Sequence, residues 1–259
     1  MRSPGRQALS DADAGLHPLR VHRCTLSRTD LTREIPVKQQ WPAIEVETRD
    51  NPQYAVIWMH GLGADGSDFV PLVPELGLAD APGVRFVFPH APEIPVTCNG
   101  GYVMRAWYDI VSLDSTSRQI DEAGIVNSRD AIRRLIAREN RRGIPCARIF
   151  VAGFSQGGAV AYTTALTHDE PLAGIIALST YIPCGELVTR ERTAANSDIA
   201  IIAAHGSEDD VVSPVLGRRA RDFLIGHGYR VDWHEYPMPH AVCLEEIRLL
   251  AEWLKARLQ

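Results

Sequence analysis

Apolar residues gather into short continuous runs separated by longer amphipathic stretches. The runs fall at 54–59 (YAVIWM), 84–88 (VRFVF), 148–152 (RIFVA), 172–178 (LAGIIAL), 199–204 (IAIIAA) and 229–236 (YRVDWHEY). Most are apolar at successive positions rather than alternate ones, the pattern of strands buried on both faces. Between them, 121–142 places Ile125, Ile132, Leu135 and Ile136 on one face and arginines elsewhere, which predicts a helix. Further helices are predicted over 156–168, 215–227 and 243–258. Strands that alternate with helices imply an α/β fold, a mostly parallel sheet covered on both faces. Ligands of such sheets bind beyond the carboxyl ends of the strands, so the chemistry is expected in the loops that follow the runs. The longest irregular stretch is 89–119, with Pro89, Pro92, Pro95, Gly100 and Gly101, and a structured loop of that length is expected to border a binding site.

Composition narrows the class. A chain of 259 residues with 45% apolar content can bury one substantial core without disulfides or metals. The formal net charge of −5, with acids and bases interspersed, argues against a nucleic-acid surface. No stretch approaches the ~20 apolar residues of a membrane-spanning helix. The five cysteines (Cys24, Cys98, Cys146, Cys184 and Cys243) are odd in number, scattered and without a CxxC pair. They read as reduced thiols, and the expected location is cytoplasmic. Residues 1–40 carry arginines and acids but no apolar core of a secretory signal; they are expected to form a flexible extension before a catalytic domain over 41–259.

The candidate chemistry starts after RIFVA, at Gly153-Phe154-Ser155-Gln156-Gly157. This G-x-S-x-G pattern sits between a predicted strand and a predicted helix, where a serine hydroxyl is lifted above the sheet. The five-residue pattern alone arises by chance about 0.1 times in a chain of this length at average composition; its strand-turn-helix setting is what makes Ser155 a candidate nucleophile. A serine needs a neighbouring base, and in this arrangement the order along the chain is serine, acid, histidine. His168 and His227 fall near helix ends, His234 inside a strand run, and His205 at a strand end. His240 follows the strand ending at Tyr236 and precedes the last helix, where the base must stand. The acid should follow IAIIAA, where Glu208, Asp209 and Asp210 compete; spacing does not separate Asp209 from Asp210. Two backbone N–H groups are needed for the oxyanion. Gln156 follows the nucleophile, and the glycine-rich loop His60-Gly61-Leu62-Gly63 follows YAVIWM. His60 reads as a structural loop histidine.

From about residue 40 onward the chain resembles the bacterial carboxylesterase and acyl-protein thioesterase family, the phospholipase/carboxylesterase group of α/β-hydrolases. The resemblance is carried by HGLGADGSDF (60–69), FPHAPEIPVTCNGGYVMRAWYD (88–109), GFSQGGAVA (153–161), ALSTYIP (177–183), HGSEDDVV (205–212) and YPMPHAVCLEEI (236–247). It implies an α/β-hydrolase fold with a minimal cap or none. The implied catalytic residues are Ser155, Asp209 and His240, with oxyanion donors at Leu62 and Gln156 and a substrate-binding tryptophan at Trp107. It implies no metal or organic cofactor. The implied substrate is a small ester or thioester, hydrolysed through an acyl-enzyme on Ser155. Acyl-protein thioesterase or lysophospholipase activity on longer chains is an alternative, with an acylated protein as partner, and a non-catalytic acyl-binding protein is a third reading. A homodimer is allowed for on general prevalence. The chain departs from the family pattern at Ser207, Asp210, Thr180 and Pro239; the last, with φ held near −65°, is expected to alter the loop that carries His240.

Overall fold

A computed structural model describes residues 41–113 and 118–259. The extension expected over 1–40 lies outside the described residues. The chain opens with β1 (Ala43–Glu47) and β2 (Tyr54–Met59), a short α1 (Leu72–Glu75), and β3 (Val84–Pro89). Four short strands follow: β4 (Glu93–Val96), β5 (Tyr102–Arg105), β6 (Ile110–Leu113) and β7 (Arg118–Ile120). Then come α2 (Glu122–Arg141), β8 (Ile149–Phe154), α3 (Gln156–Leu166), β9 (Gly174–Leu178) and α4 (Gly185–Glu191). The chain closes with β10 (Ile201–Gly206), α5 (Pro214–Gly226), β11 (Val231–Tyr236) and α6 (Leu244–Lys255).

Seven strands form one sheet in the order β1-β3-β2-β8-β9-β10-β11. All neighbours are parallel except β1, which runs antiparallel to β3 with Ile44 opposite Phe88. The continuous apolar runs follow from the two cores. On one face Ile57, Val151, Ile175 and Ala203 pack with Ile132, Tyr162, Leu187 and Leu224 from α2–α5. On the other, Trp58, Phe150, Ile176 and Ile202 pack with Leu250, Trp253 and Leu254 of α6. Successive side chains of a strand point to opposite faces, so covering both faces requires every position to be apolar. Each such Ile, Val or Leu contributes roughly 1.5–3 kcal/mol by leaving water.

Two of the differences from the sequence reading lie in the middle and at the end of the chain. The stretch 89–119 is not irregular: β4 pairs with β5, Glu93 opposite Arg105, and β6 pairs with β7 across a bulge. The last strand begins at Val231 rather than 229, because the Tyr229 N–H closes the end of α5 on the Leu224 carbonyl.

Candidate active site

β8 delivers Ser155 to the carboxyl edge of the sheet, between β2 and β9. The turn into α3 is so tight that Ser155 adopts φ 54° and ψ −121°. A non-glycine residue held there stores about 1–3 kcal/mol of strain, which the surrounding structure must over-determine. Two glycines make the turn possible. A Cβ on Gly153 would stand 2.3 Å from the Gly157 carbonyl, and one on Gly157 would stand 2.3 Å from the Met59 carbonyl oxygen. Ser155 is buried, and the first N–H groups of α3, Gln156 among them, have no acceptor within their own helix.

The loops after β10 and β11 are stitched together. Ser207 N–H donates to Tyr236 O and Glu208 N–H to Met238 O. That pairing brings Asp209 to His240, whose Nδ1–H donates to Asp209 Oδ2 at 2.7 Å. The other oxygen, Oδ1, accepts from the N–H groups of Val211 at 2.9 Å and Val212 at 2.7 Å. Burial works to raise the Asp209 carboxyl. The His240 hydrogen bond and charge, with the Val212 N–H, outweigh it and hold the group below the usual carboxylate range. Asp210, the competitor by spacing, is exposed and Asp209 is buried. With Nδ1 committed to the carboxylate, His240 Nε2 is left as the basic nitrogen. Among the described residues no hydrogen bond joins it to Ser155 Oγ; such contacts often tighten only once substrate is bound.

The loop after β2 lies directly against the elbow, since a Cβ on Gly61 would come within 3.6 Å of Ser155 Cβ. Leu62, the expected second donor, is the next residue. His60 is buried, donates from Nδ1 to Gly61 O at 2.7 Å and accepts from Ala91 N–H at Nε2. Burial pushes its imidazole down to about 4, so it stays neutral. The indole N–H of Trp107 donates to His60 O at 2.8 Å. The Gln156 side chain in turn clamps the Trp107 segment: Oε1 accepts from Trp107 N–H at 2.8 Å and Nε2 donates to Tyr108 O at 2.7 Å. Trp107 itself is only 2% exposed.

Comparison with known proteins bears on this geometry. The profile of the phospholipase/carboxylesterase family matches residues 41–258. The chain belongs to the phospholipase/carboxylesterase family. It is a carboxylic ester hydrolase with the α/β-hydrolase fold. An acyl-protein thioesterase 1 from Mycosarcoma maydis is 40% identical over 218 residues, covering 79% of this chain and 91% of that protein. One from Yarrowia lipolytica is 34% identical over 223 residues, covering 85% and 98%. The crystal structure of Zea mays acyl-protein thioesterase 2 superposes with a TM-score of 0.72 at 25% identity, covering 85% of this chain and all of that one.

Within this phospholipase/carboxylesterase frame, two residues join the site that the sequence reading left aside. His205, taken as a strand-end histidine, is buried; its Nε2–H donates to Val212 O at 2.7 Å and lies 3.5 Å from Asp209 Oδ2. It closes the turn whose N–H groups hold Asp209. Thr180, noted only as a departure, donates from Oγ1 to Ser155 O at 2.6 Å. No sequence pattern signals either bond, since each depends on where β10 and β9 end. Beside His240 lies an open cleft of about 250 Å³ lined by Asp68, Phe69, Leu72, Phe154 and Val242. Phe154 packs its ring 4.6 Å from the imidazole.

Proposed function

We propose that this hydrolase cleaves carboxylic esters and thioesters through an acyl-enzyme on Ser155, with His240 as base and Asp209 as the acid that orients it. The observation that carries the reading is the 2.7 Å contact from His240 Nδ1 to a buried, ionised Asp209, on the same sheet edge as a strained serine at a helix N-terminus. His240 Nε2 takes the Ser155 proton as Oγ attacks the acyl carbon. The N–H groups of Leu62 and Gln156 receive the oxyanion, a contribution worth ~100-fold or more in turnover for each donor. His240 then returns the proton to the departing alcohol or thiol, and water repeats the sequence on the acyl-enzyme. Trp107 stays in the proposal as a residue of the acyl site through its match to the family, and its own hydrogen bond supports a bracing role for the Leu62 loop. The catalytic unit is residues 41–259, with 1–40 as an extension and the cytoplasm as the location.

Acyl-protein thioesterase activity is the second reading, favoured by the names of the relatives from Mycosarcoma maydis and Yarrowia lipolytica. An acylated protein is then the substrate. Among the described residues no helix is long and apolar enough to cross a membrane. The test is a rate series over C2 to C16 acyl esters and the matching thioesters, alongside fluorophosphonate labelling. Labelling of Ser155 with highest kcat/KM on C2–C6 esters supports the carboxylesterase reading; a maximum on long-chain thioesters supports the thioesterase. Absence of labelling, with no hydrolysis of any member, supports a non-catalytic acyl-binding protein and overturns both.

A further inference from the structure

At the opposite, amino edge of the sheet, three side chains that the hydrolytic reaction does not use converge. Cys146 lies in a single turn of 3-10 helix (Cys146–Arg148) that leads into β8. His168 and Glu170 lie in the connection from α3 to β9. The six residues of β8 separate this point from Ser155 by about 20 Å. Cys146 Sγ, one ring nitrogen of His168 and one carboxylate oxygen of Glu170 all lie within 4.8 Å of one another.

We propose that Cys146, His168 and Glu170 form a divalent-metal site suited to Zn(II). The spacing carries this first. Zinc bonds of about 2.3 Å to sulfur and 2.0–2.1 Å to imidazole nitrogen, at a tetrahedral angle, place the two ligand atoms about 3.6 Å apart. Cys146 Sγ and His168 Nε2 stand 3.6 Å apart. The donor set of thiolate, imidazole and carboxylate matches Zn(II) rather than the hard, oxygen-seeking Mg(II) or Ca(II). The supporting shell is built. Asn140 Nδ2 donates to Cys146 Sγ at 3.0 Å, a bond that favours the thiolate, although burial keeps the Cys146 thiol above its usual range until a metal replaces the proton; the Asn140 Oδ1 is buried without a partner among the described residues. The turn that carries His168 and Glu170 is pinned by the buried Asn196, whose Nδ2 donates to the carbonyls of both residues at 2.8 and 3.0 Å and whose Oδ1 accepts from Leu172 N–H. Cys146 is buried, His168 half-buried and Glu170 exposed, so an ion enters from the Glu170 side. Binding replaces the thiol proton, which leaves to solvent, by a metal–sulfur bond with no redox change. The ion would tie the start of β8 to the end of α3, and so act on stability rather than on hydrolysis.

The test uses the tag-free full chain, cleared of metal with a chelator and kept reduced. Co(II) serves as the optical probe and Zn(II) as the competitor. The expected result is one equivalent of Co(II) bound with a thiolate-to-cobalt charge-transfer band, displaced by one equivalent of Zn(II) with a Kd in the micromolar range or tighter. C146S should abolish the band, and H168A should weaken Zn(II) at least ~100-fold. Cys146 is buried, so the exposed E170Q is read in parallel: it should keep the band and weaken Zn(II) about 10-fold or more. C98S should change nothing, and ester hydrolysis should be the same with and without metal. Absence of a charge-transfer band in the wild type, a band that persists in C146S, or Zn(II) affinity unchanged in both H168A and E170Q would overturn the proposal.

Discussion

Thr180 Oγ1 donates to the carbonyl oxygen of Ser155 at 2.6 Å, and the same side chain fills the space that a Cβ on Gly158 would need, 2.6 Å from its Cγ2. The strained serine is thus fastened from the loop after β9, and Gly158, the third residue past it, must be glycine because Thr180 is there. In the wild-type background G158A should cost about 1–3 kcal/mol by overpacking. In a T180G background the clash is gone, and the same substitution should stabilise by up to ~1 kcal/mol through helix propensity. Denaturant unfolding of the four proteins in this cycle checks the change of sign.

The two adjacent aspartates should behave differently. D209N leaves the shape but removes the charge that orients His240 Nδ1–H, and kcat should fall roughly 10³- to 10⁴-fold. D210N changes an exposed group and should leave kcat/KM within about twofold. Steady-state kinetics on a p-nitrophenyl ester separates them.

The Gln156 side chain should matter apart from its backbone. Q156L keeps the N–H proposed for the oxyanion but leaves Trp107 N–H and Tyr108 O without their partners. Two buried groups so exposed should cost about 2–4 kcal/mol, with a drop of about tenfold in kcat as the Trp107 segment loosens from the Leu62 loop. Thermal unfolding and kinetics of the single variant check both numbers.

Glu246, in the first turn of α6, is fully buried; its Oε2 accepts from Cys243 N–H and its Oε1 has no partner among the described residues. Burial pushes its carboxyl up to about 7. Below about pH 4.5 both folded and unfolded chains hold the proton, and the group has no effect on pH dependence. Between 4.5 and 7 the unfolded chain releases it first, so stability falls as pH rises, by about 3 kcal/mol in total, and levels off above 7. E246Q should remove that fall, making the variant the more stable protein at pH 8. Parallel stability curves for wild type and E246Q from pH 5 to 8 would contradict this.

Much of the fold was legible because strands buried on both faces must be apolar at every position, as YAVIWM and GIIAL are. β1 was not: over Ala43–Glu47 the acids Glu45 and Glu47 alternate with Ile44 and Val46, and as an antiparallel edge strand it needs only one apolar face. The hairpins within 93–120 were hidden because Pro95 and a Gly pair read as loop, while edge pairing tolerates them. The order of motifs along the chain was enough to propose Ser155 as nucleophile and His240 as base. The choice between Asp209 and Asp210 could not, since it rests on the N–H groups of Val211 and Val212 and on His205, which only the closed turn brings to one carboxylate. The departure at Pro239 leaves His240 within 2.7 Å of Asp209.

The central claim is that acyl transfer passes through Ser155. Mass spectrometry of the protein, acid-quenched during turnover of a p-nitrophenyl ester, tests it most directly. The account predicts one acyl adduct, on the peptide that contains Ser155, and in Ser155→Ala a folded protein with neither adduct nor hydrolysis. An adduct on another residue, or undiminished hydrolysis by Ser155→Ala, would contradict it.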